Sequence, residues 1–138
     1  MVASFIDTNV IIRYLVEIPD SISKKFKGVF PFFNRVETGE VKVELTELVL
    51  FESFFVLTRV YEIPVAEASE TLSKLIQFRG INLPSKITML SCFQIIQDKR
   101  IDLVDAYLIA SSREKGIKGI YSFDKDLEKS GLKLLEIK

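Results

Sequence analysis

The stretch VASFIDTNVIIRYL, residues 2–15, predicts a strand that passes directly into a helix. Val2–Ile6 is a short apolar run of the kind that forms a buried strand, and Asp7 ends it. Residues 7–9 are all good helix-capping or turn residues, and the apolar positions after them recur at helical spacing. Asp7 is therefore predicted to stand at the carboxyl end of a strand.

The same alternation of strand and helix continues along the chain. Further strands are predicted at residues 41–45, 81–83, 117–123 and 132–137. Helices are predicted at residues 21–36, 47–61, 64–78, 85–97 and 103–115, with a helical turn at 124–129. This alternation predicts the α/β class, with helices on both faces of a mostly parallel sheet. No linker or repeat interrupts it, so we interpret residues 1–138 as a single domain.

The composition removes many kinds of catalytic site. The 138 residues include no histidine, no tryptophan and a single cysteine, Cys92. A disulfide within the chain and a zinc site rich in Cys or His are therefore excluded. Ser-His-Asp and Cys-His mechanisms are excluded as well, because their base is missing. Any acid–base or metal chemistry must use carboxylates, Lys, Tyr or water.

Four of the nineteen acids stand in unusual sequence surroundings. Asp7 and Asp124 directly follow predicted strands, and ligand sites of parallel sheets lie at the carboxyl ends of strands. Glu52 lies inside LVLFESFFVL, residues 48–57, and Asp105 lies inside LVDAYLIA, residues 103–110. A carboxylate buried in such apolar helices is costly unless it is paired or bound to metal.

Each acid taken singly has a simpler interpretation. Asp7 and Asp124 could cap the helical segments that follow them. Glu52 could lie on a narrow exposed stripe of its helix. Asp105 could pair with Arg113 or with another helix, or it could cap its own helix. All four together are harder to explain in this way, and we interpret them as an acidic cluster.

Such a cluster predicts divalent metal ions as cofactors. Two like charges 4 Å apart repel by about 4 kcal/mol at an effective dielectric constant near 20. Four carboxylates would therefore take up protons or recruit cations. Oxygen ligands favour Mg²⁺ or Mn²⁺, which bind substrate phosphates and lower the pKa of bound water. A site without histidine is thus chemically sufficient for phosphodiester hydrolysis.

The arrangement resembles the PIN-domain ribonucleases, and most closely the small VapC-type toxins of toxin–antitoxin pairs. The matching segments are FIDTNVIIRYL at 5–15, LVLFESFFVLTRVY at 48–61, DLVDAYLIASSREKG at 102–116 and YSFDKDLEKSG at 121–131. Each segment is a weak signal alone, but their order and spacing across nearly the whole chain make the combination specific. The resemblance implies a three-layer α/β/α fold with a mostly parallel sheet of about five strands. It also implies Mg²⁺- or Mn²⁺-dependent hydrolysis of RNA.

The resemblance carries roles to individual positions. The catalytic, metal-binding acids are Asp7, Glu52, Asp105 and Asp124. Nearby acids that can hold metal through water are Asp102 and Asp126. Polar residues that orient the carboxylates and water are Thr8, Asn9 and Ser122. The residues that bind RNA are not identified in this way, and nearby basic candidates are Arg13, Arg100 and Lys125.

The family resemblance and the amino terminus also suggest partners and location. Members are commonly homodimers, and the toxins are commonly inhibited by a small VapB-type antitoxin. VFPFF, residues 29–33, is a candidate partner surface, although packing of these rings in the core is slightly favoured. The amino terminus has no basic lead, and no apolar run approaches the ~20 residues of a membrane span. We therefore expect a cytoplasmic protein with no membrane association.

Three other functions remain open from the sequence. A PIN nuclease could serve RNA processing or turnover without being a toxin. An aspartate-nucleophile phosphohydrolase is more distant, because those enzymes usually place a second Asp two residues after the nucleophile, where this chain has Asn9. A non-catalytic binding module is disfavoured by the complete set of four acids.

Overall fold

The computed structural model describes residues 3–138, so Val2, part of the first predicted strand, lies outside the described residues. The chain forms two compact units. The first unit ends at Ser85 and the second spans Lys86–Lys138. No helix in residues 3–138 is both long enough and apolar enough to cross a membrane.

The first unit contains a parallel sheet of three very short strands. The strands are β1 (Ser4–Phe5), β2 (Val43–Glu44) and β3 (Ile81–Asn82), in the order β1-β2-β3. The α-helices are α1 (Thr8–Val16), α2 (Val29–Thr38), α3 (Glu47–Phe55) and α4 (Val65–Leu75). A 3-10 turn at Lys24–Phe26 precedes α2, and a π-helical turn at Val56–Val60 continues α3.

The second unit pairs two long helices with a two-stranded parallel sheet. Its helices are α5 (Lys86–Lys99) and α6 (Leu103–Lys115). Its strands are β4 (Gly119–Tyr121) and β5 (Lys133–Leu135), separated by a 3-10 helix at Lys125–Ser130. Gly116 and Gly131 end the two helical segments in the left-handed conformation, as expected where glycine follows a helix.

The α/β class and the parallel strand direction are confirmed, but the prediction of one sheet of about five strands is wrong. Over residues 3–138 the largest sheet has three strands, and β4 and β5 form a separate sheet. Local patterns predict where strands form, whereas membership of a sheet depends on long-range pairing, and strands of two or three residues contribute few pairs. The three-layer arrangement and the single domain over residues 1–138 stay predictions.

Helix boundaries follow the capping residues closely, with one exception. Thr46 caps α3 by accepting a hydrogen bond from the Val49 N–H at 3.2 Å. The helix predicted over 21–36 is wrong in its first half, because α2 begins only at Val29. Pro31 explains the late start. Inside a longer helix its ring would clash with the preceding turn, whereas in the first turn its missing N–H costs no hydrogen bond.

The aromatic residues of α2 pack mainly within the first unit. Phe33 is fully buried and stacks on Tyr14 of α1, with ring centroids 4.1 Å apart. Phe30 and Phe32 are half-buried, and their rings lie against Tyr14 and Phe33 respectively. The packing supports the core interpretation of VFPFF over the partner surface.

We predict that Gly80→Ala destabilises the protein by about 1–3 kcal/mol, because a side chain at this position has no room. A Cβ at Gly80 would lie 2.0 Å from the Val41 carbonyl oxygen and 2.6 Å from that of Val36. The same backbone also supports β2, since the Gly80 carbonyl accepts a hydrogen bond from the Val43 N–H at 2.8 Å. Urea denaturation measures the free energy of unfolding.

Gly28→Ala is the matched control, because Gly28 has ordinary right-handed dihedral angles and no atom within 4 Å of its Cβ position. This substitution should be neutral or stabilise by up to about 1 kcal/mol. Equal stability of the Gly80→Ala protein and the wild type would contradict the packing at this turn.

Candidate active site

An open cleft of about 310 Å³ lies in the first unit, where α1 begins beside the middle of α3. We call it the first cleft. It brings together Asp7 and Glu52, two of the four predicted site acids, although they are 45 positions apart in the sequence. Its lining residues are Asp7, Thr8, Asn9, Ile12, Arg13, Glu52, Val56 and Tyr61.

Asp7 reaches the first cleft because it joins the end of β1 to the start of α1. Its Oδ1 accepts a hydrogen bond from the Thr8 N–H at 2.7 Å, so the helix-capping interpretation is correct. Capping uses only one of the carboxylate oxygens, however. No residue in the range 3–138 forms an ion pair with Asp7. The same side chain can therefore hold the helix start and present negative charge to the cleft.

Glu52 is exposed, which contradicts the expectation that it is buried in an apolar helix. The reason is that α3 is not covered on every side. Leu48, one turn earlier on the same face, is 80% exposed although it is apolar. Glu52 thus lies on an exposed stripe, as its simpler interpretation holds, and this stripe borders the first cleft.

Thr8 carries a buried hydroxyl that lacks a partner. The residue is 7% exposed, and among residues 3–138 its Oγ1 forms no hydrogen bond within the protein. A buried hydroxyl in this state costs about 1–3 kcal/mol, which water or a bound group next to it would offset. Because Thr8 lines the first cleft beside Asp7, this oxygen fits a site that binds a hydrated cation.

A second cleft, of about 430 Å³, lies within the second unit. It brings together Asp105 of α6 and Asp124, the other two predicted site acids, together with Asp126. Its remaining lining residues are Lys99, Ile101, Ile109, Leu127, Lys129 and Ser130. Asp105 is half-buried, whereas Asp124 and Asp126 are exposed, so the expected burial is found only in part.

Backbone N–H groups hold the carboxylates of Asp124, in the second cleft, and of Asp102, three residues before Asp105. Asp102 caps α6 by accepting from the Asp105 N–H at 3.2 Å. Asp124 accepts from the Asp126 N–H at 2.9 Å, so it caps the turn after it, as its simpler interpretation holds. The Ser122 hydroxyl oxygen accepts from the Asp124 backbone N–H at 3.0 Å, and its predicted role in orienting carboxylates and water stays a prediction.

Charge accumulates around Asp105. Burial raises the pKa of the Asp105 carboxyl above its ordinary value, and the negative charges of Asp102 and Asp124 raise it further. No ion pair joins Asp105 to Arg113 among residues 3–138. A cation in the second cleft would relieve the repulsion between these carboxylates.

The two clefts hold the predicted acids in pairs. Within residues 3–138 neither unit brings three or more acidic side chains close enough to hold a metal ion by themselves. The single cluster of four acids therefore stays a prediction. The donors present, carboxylate oxygens and the Thr8 hydroxyl, are the kind that Mg²⁺ and Mn²⁺ prefer.

The predicted basic residues are only partly those that line the clefts. Arg13 lines the first cleft, but Arg100 and Lys125 are not among the residues of the second cleft, where Lys99 and Lys129 lie instead. Tyr61 of the first cleft was not predicted. Its position depends on a π-helical turn, for which the sequence gives no clear signal.

Comparison with known proteins identifies a family. The PIN domain family model matches residues 4–131. A search of curated proteins finds no match to the chain. Among solved structures, VapC20 of Mycobacterium tuberculosis, a toxin that cleaves the sarcin–ricin loop, is similar at 16% identity and a TM-score of 0.40. That alignment covers 98% of this chain and 100% of the other. A likeness of this degree carries no information about function.

We predict that Thr8→Val keeps or increases stability in a chelator, by up to about 1–3 kcal/mol, because it removes an unpaired buried hydroxyl. It should also weaken Mn²⁺ binding by about 10-fold or more, since an orienting oxygen is lost.

For the wild type, Mn²⁺ at 100 times its Kd should add about 2.7 kcal/mol to the free energy of unfolding. Thermal melting with Mn²⁺ and with chelator measures both effects, and Thr8→Ser serves as the control that keeps the hydroxyl. A loss of stability in chelator would show that the hydroxyl has a partner.

We predict that Asp105 makes stability fall as the pH rises from the carboxyl's unfolded pKa through its folded pKa. The folded pKa is the higher one, so in this window the folded protein binds more protons than the unfolded chain. Asp105→Asn should therefore be more stable than the wild type at neutral pH, and the difference should shrink in acid. Denaturation at several pH values measures this. A difference that grows as the pH falls would contradict the direction of the shift.

Proposed function

We propose that this chain, which belongs to the PIN-domain family, is a divalent-metal-dependent ribonuclease. It hydrolyses phosphodiester bonds of RNA. Family membership agrees with the resemblance found in the sequence, and it supports a nuclease over a phosphohydrolase or a scaffold. The observation that carries the proposal is the first cleft. Asp7 and Glu52 line that cleft together with Thr8, whose buried hydroxyl has no hydrogen-bond partner among residues 3–138.

The proposed site consists of the carboxylates of Asp7, Glu52, Asp105 and Asp124. All four acids fall within residues 4–131, the range that the family model matches. Mg²⁺ or Mn²⁺ bound by these oxygens would supply positive charge to the phosphate and acidify a water. Asp102 and Asp126 would contribute through water.

The remaining residues orient this set. The Asp7 carboxylate accepts a hydrogen bond from the Thr8 N–H, and the Asp124 backbone N–H donates one to the Ser122 hydroxyl oxygen. Thr8 and Asn9 offer a hydroxyl and an amide to the same cleft, where they can fix water next to the carboxylates. A carboxylate that is free of basic partners can accept a proton from the attacking water.

The biological role that we propose is that of the toxin in a VapBC-type pair. The four motif segments that resemble VapC-type toxins support this role. A VapB-type antitoxin, a homodimer and a cytoplasmic location belong to the same proposal. Expression of the chain alone should arrest growth, and co-expression of a cognate antitoxin should relieve the arrest.

We predict that Asp7→Asn and Asp124→Asn each reduce RNA cleavage by at least about 100-fold, because each removes a charge that the site needs. Sequencing of RNA ends produced with and without Mn²⁺ measures cleavage and maps the cut positions together. Asp20→Asn is the matched control, because Asp20 is exposed and lines neither cleft.

Loss of cleavage in both site variants, with normal cleavage by the control, is the expected pattern. Cleavage by the Asp7→Asn protein at the wild-type rate would overturn the assignment of the first cleft. Turnover of small phosphate esters without cleavage of RNA would favour the phosphohydrolase.

A further inference from the structure

The first cleft contains two residues that the metal site does not use, Arg13 and Tyr61. We propose that they bind one nucleotide of the RNA strand, with Tyr61 stacking on its base and Arg13 contacting its phosphate. The inference rests on the proposed function, and it names the group beside the carboxylates that holds the substrate.

Tyr61 reaches the cleft because the helix changes its winding. In an α-helix, residues five apart differ by about 140° around the axis, so Tyr61 would point away from Val56. The π-helical turn instead joins the Tyr61 N–H to the Val56 carbonyl oxygen at 3.2 Å, and residues joined in this way lie near the same face. Val56 follows Glu52 by one ordinary turn, so the winding brings Tyr61 to the side that carries Glu52.

The backbone after Tyr61 is also unusual. Glu62 adopts a left-handed conformation with φ of 54°, which is rare for a residue other than glycine. Unfavourable dihedral angles persist where the surrounding structure enforces them, and they often mark functional sites, as π-helical turns do. Tyr61 is 46% exposed, so its ring is available to a ligand. Exposed aromatic rings are what single-stranded RNA bases stack on.

Arg13 is held in place at the same cleft. Its Nη1 donates to Glu17 Oε1 at 2.8 Å, and its Cζ lies 4.0 Å from the centre of the Phe26 ring. These contacts fix the plane of the guanidinium, which keeps further N–H donors because arginine has five. A fixed guanidinium is well suited to a phosphate, since less side-chain freedom is lost on binding.

The combination fits a nucleotide better than a simple anion. Asp7 and Glu52 repel a phosphate unless a cation lies between their carboxylates and the phosphate. Arg13 alone would therefore bind a simple anion weakly. An aromatic ring at the same cleft adds a stacking attraction, which acts only on a ligand that carries a base. Stacking of one base contributes about 1–3 kcal/mol, which corresponds to about 5- to 150-fold in affinity.

The test compares adenosine 5′-monophosphate with ribose 5-phosphate, which has the same phosphate and no base. Each is titrated into the full chain with Mg²⁺, and binding is followed by NMR through the backbone amides of Thr8 and Asn9. The wild type should bind the nucleotide at least about 5-fold more tightly than the sugar phosphate. Tyr61→Ala should abolish this difference, and Tyr61→Phe should keep it.

Arg13 is tested by its effect on both ligands. Arg13→Ala should weaken the nucleotide and the sugar phosphate by the same factor, about 10-fold, because it removes a charged hydrogen bond to phosphate. Arg35→Ala is the matched control, because Arg35 is exposed on α2 and does not line the cleft. It should leave both affinities unchanged.

The result separates this inference from the proposed ribonuclease activity. Equal affinities for the two ligands in the wild type, or an unchanged preference in Tyr61→Ala, would overturn the nucleotide site even if the protein cleaves RNA. A base preference that depends on Tyr61 supports the site even if cleavage fails. Absence of Mn²⁺-dependent RNA cleavage by the wild type counts against the proposed function alone.

Discussion

Carboxylates that have no basic partner are the feature on which the proposed chemistry of both clefts depends. None of the acids Asp7, Glu52, Asp105 and Asp124 forms an ion pair within residues 3–138. The consequence is visible at Asp105, whose pKa is raised by burial and by neighbouring carboxylates. Repulsion between neighbouring carboxylates lowers the stability of the folded protein, and a bound divalent cation would offset that repulsion. The absence of histidine from the chain leaves oxygen as the natural ligand for that cation.

The surroundings of the clefts suit a polyanionic substrate. The chain as a whole has nineteen basic and nineteen acidic residues. Setting the four site acids aside leaves the rest with a net charge of +4. Basic residues also line each cleft, with Arg13 in the first and Lys99 and Lys129 in the second. A neutral chain can thus combine the proposed acidic metal sites with a mildly basic surround, which would suit the RNA substrate that we propose.

Local rules predicted the elements that depend on neighbouring residues. Thr46 caps its helix, Gly116 ends α6, and Asp7 joins a strand to a helix. Features that depend on distant residues or on rare winding were missed. The three-stranded sheet needed long-range pairing, and the exposure of Glu52 required knowing which side of α3 is covered. The position of Tyr61 depends on a π-helical turn, which the α-helical spacing of apolar residues does not predict.

The central proposal is that Asp7, Glu52, Asp105 and Asp124 all bind divalent metal. Mn²⁺ is paramagnetic and broadens the NMR signals of nearby nuclei, so a titration of the full chain reports which residues lie close to the ion. We predict that backbone amide signals next to Asp7, Glu52, Asp105 and Asp124 all broaden when Mn²⁺ is added, and that excess Mg²⁺ restores them. Broadening confined to one pair of acids, or none at any of them, would contradict the proposal.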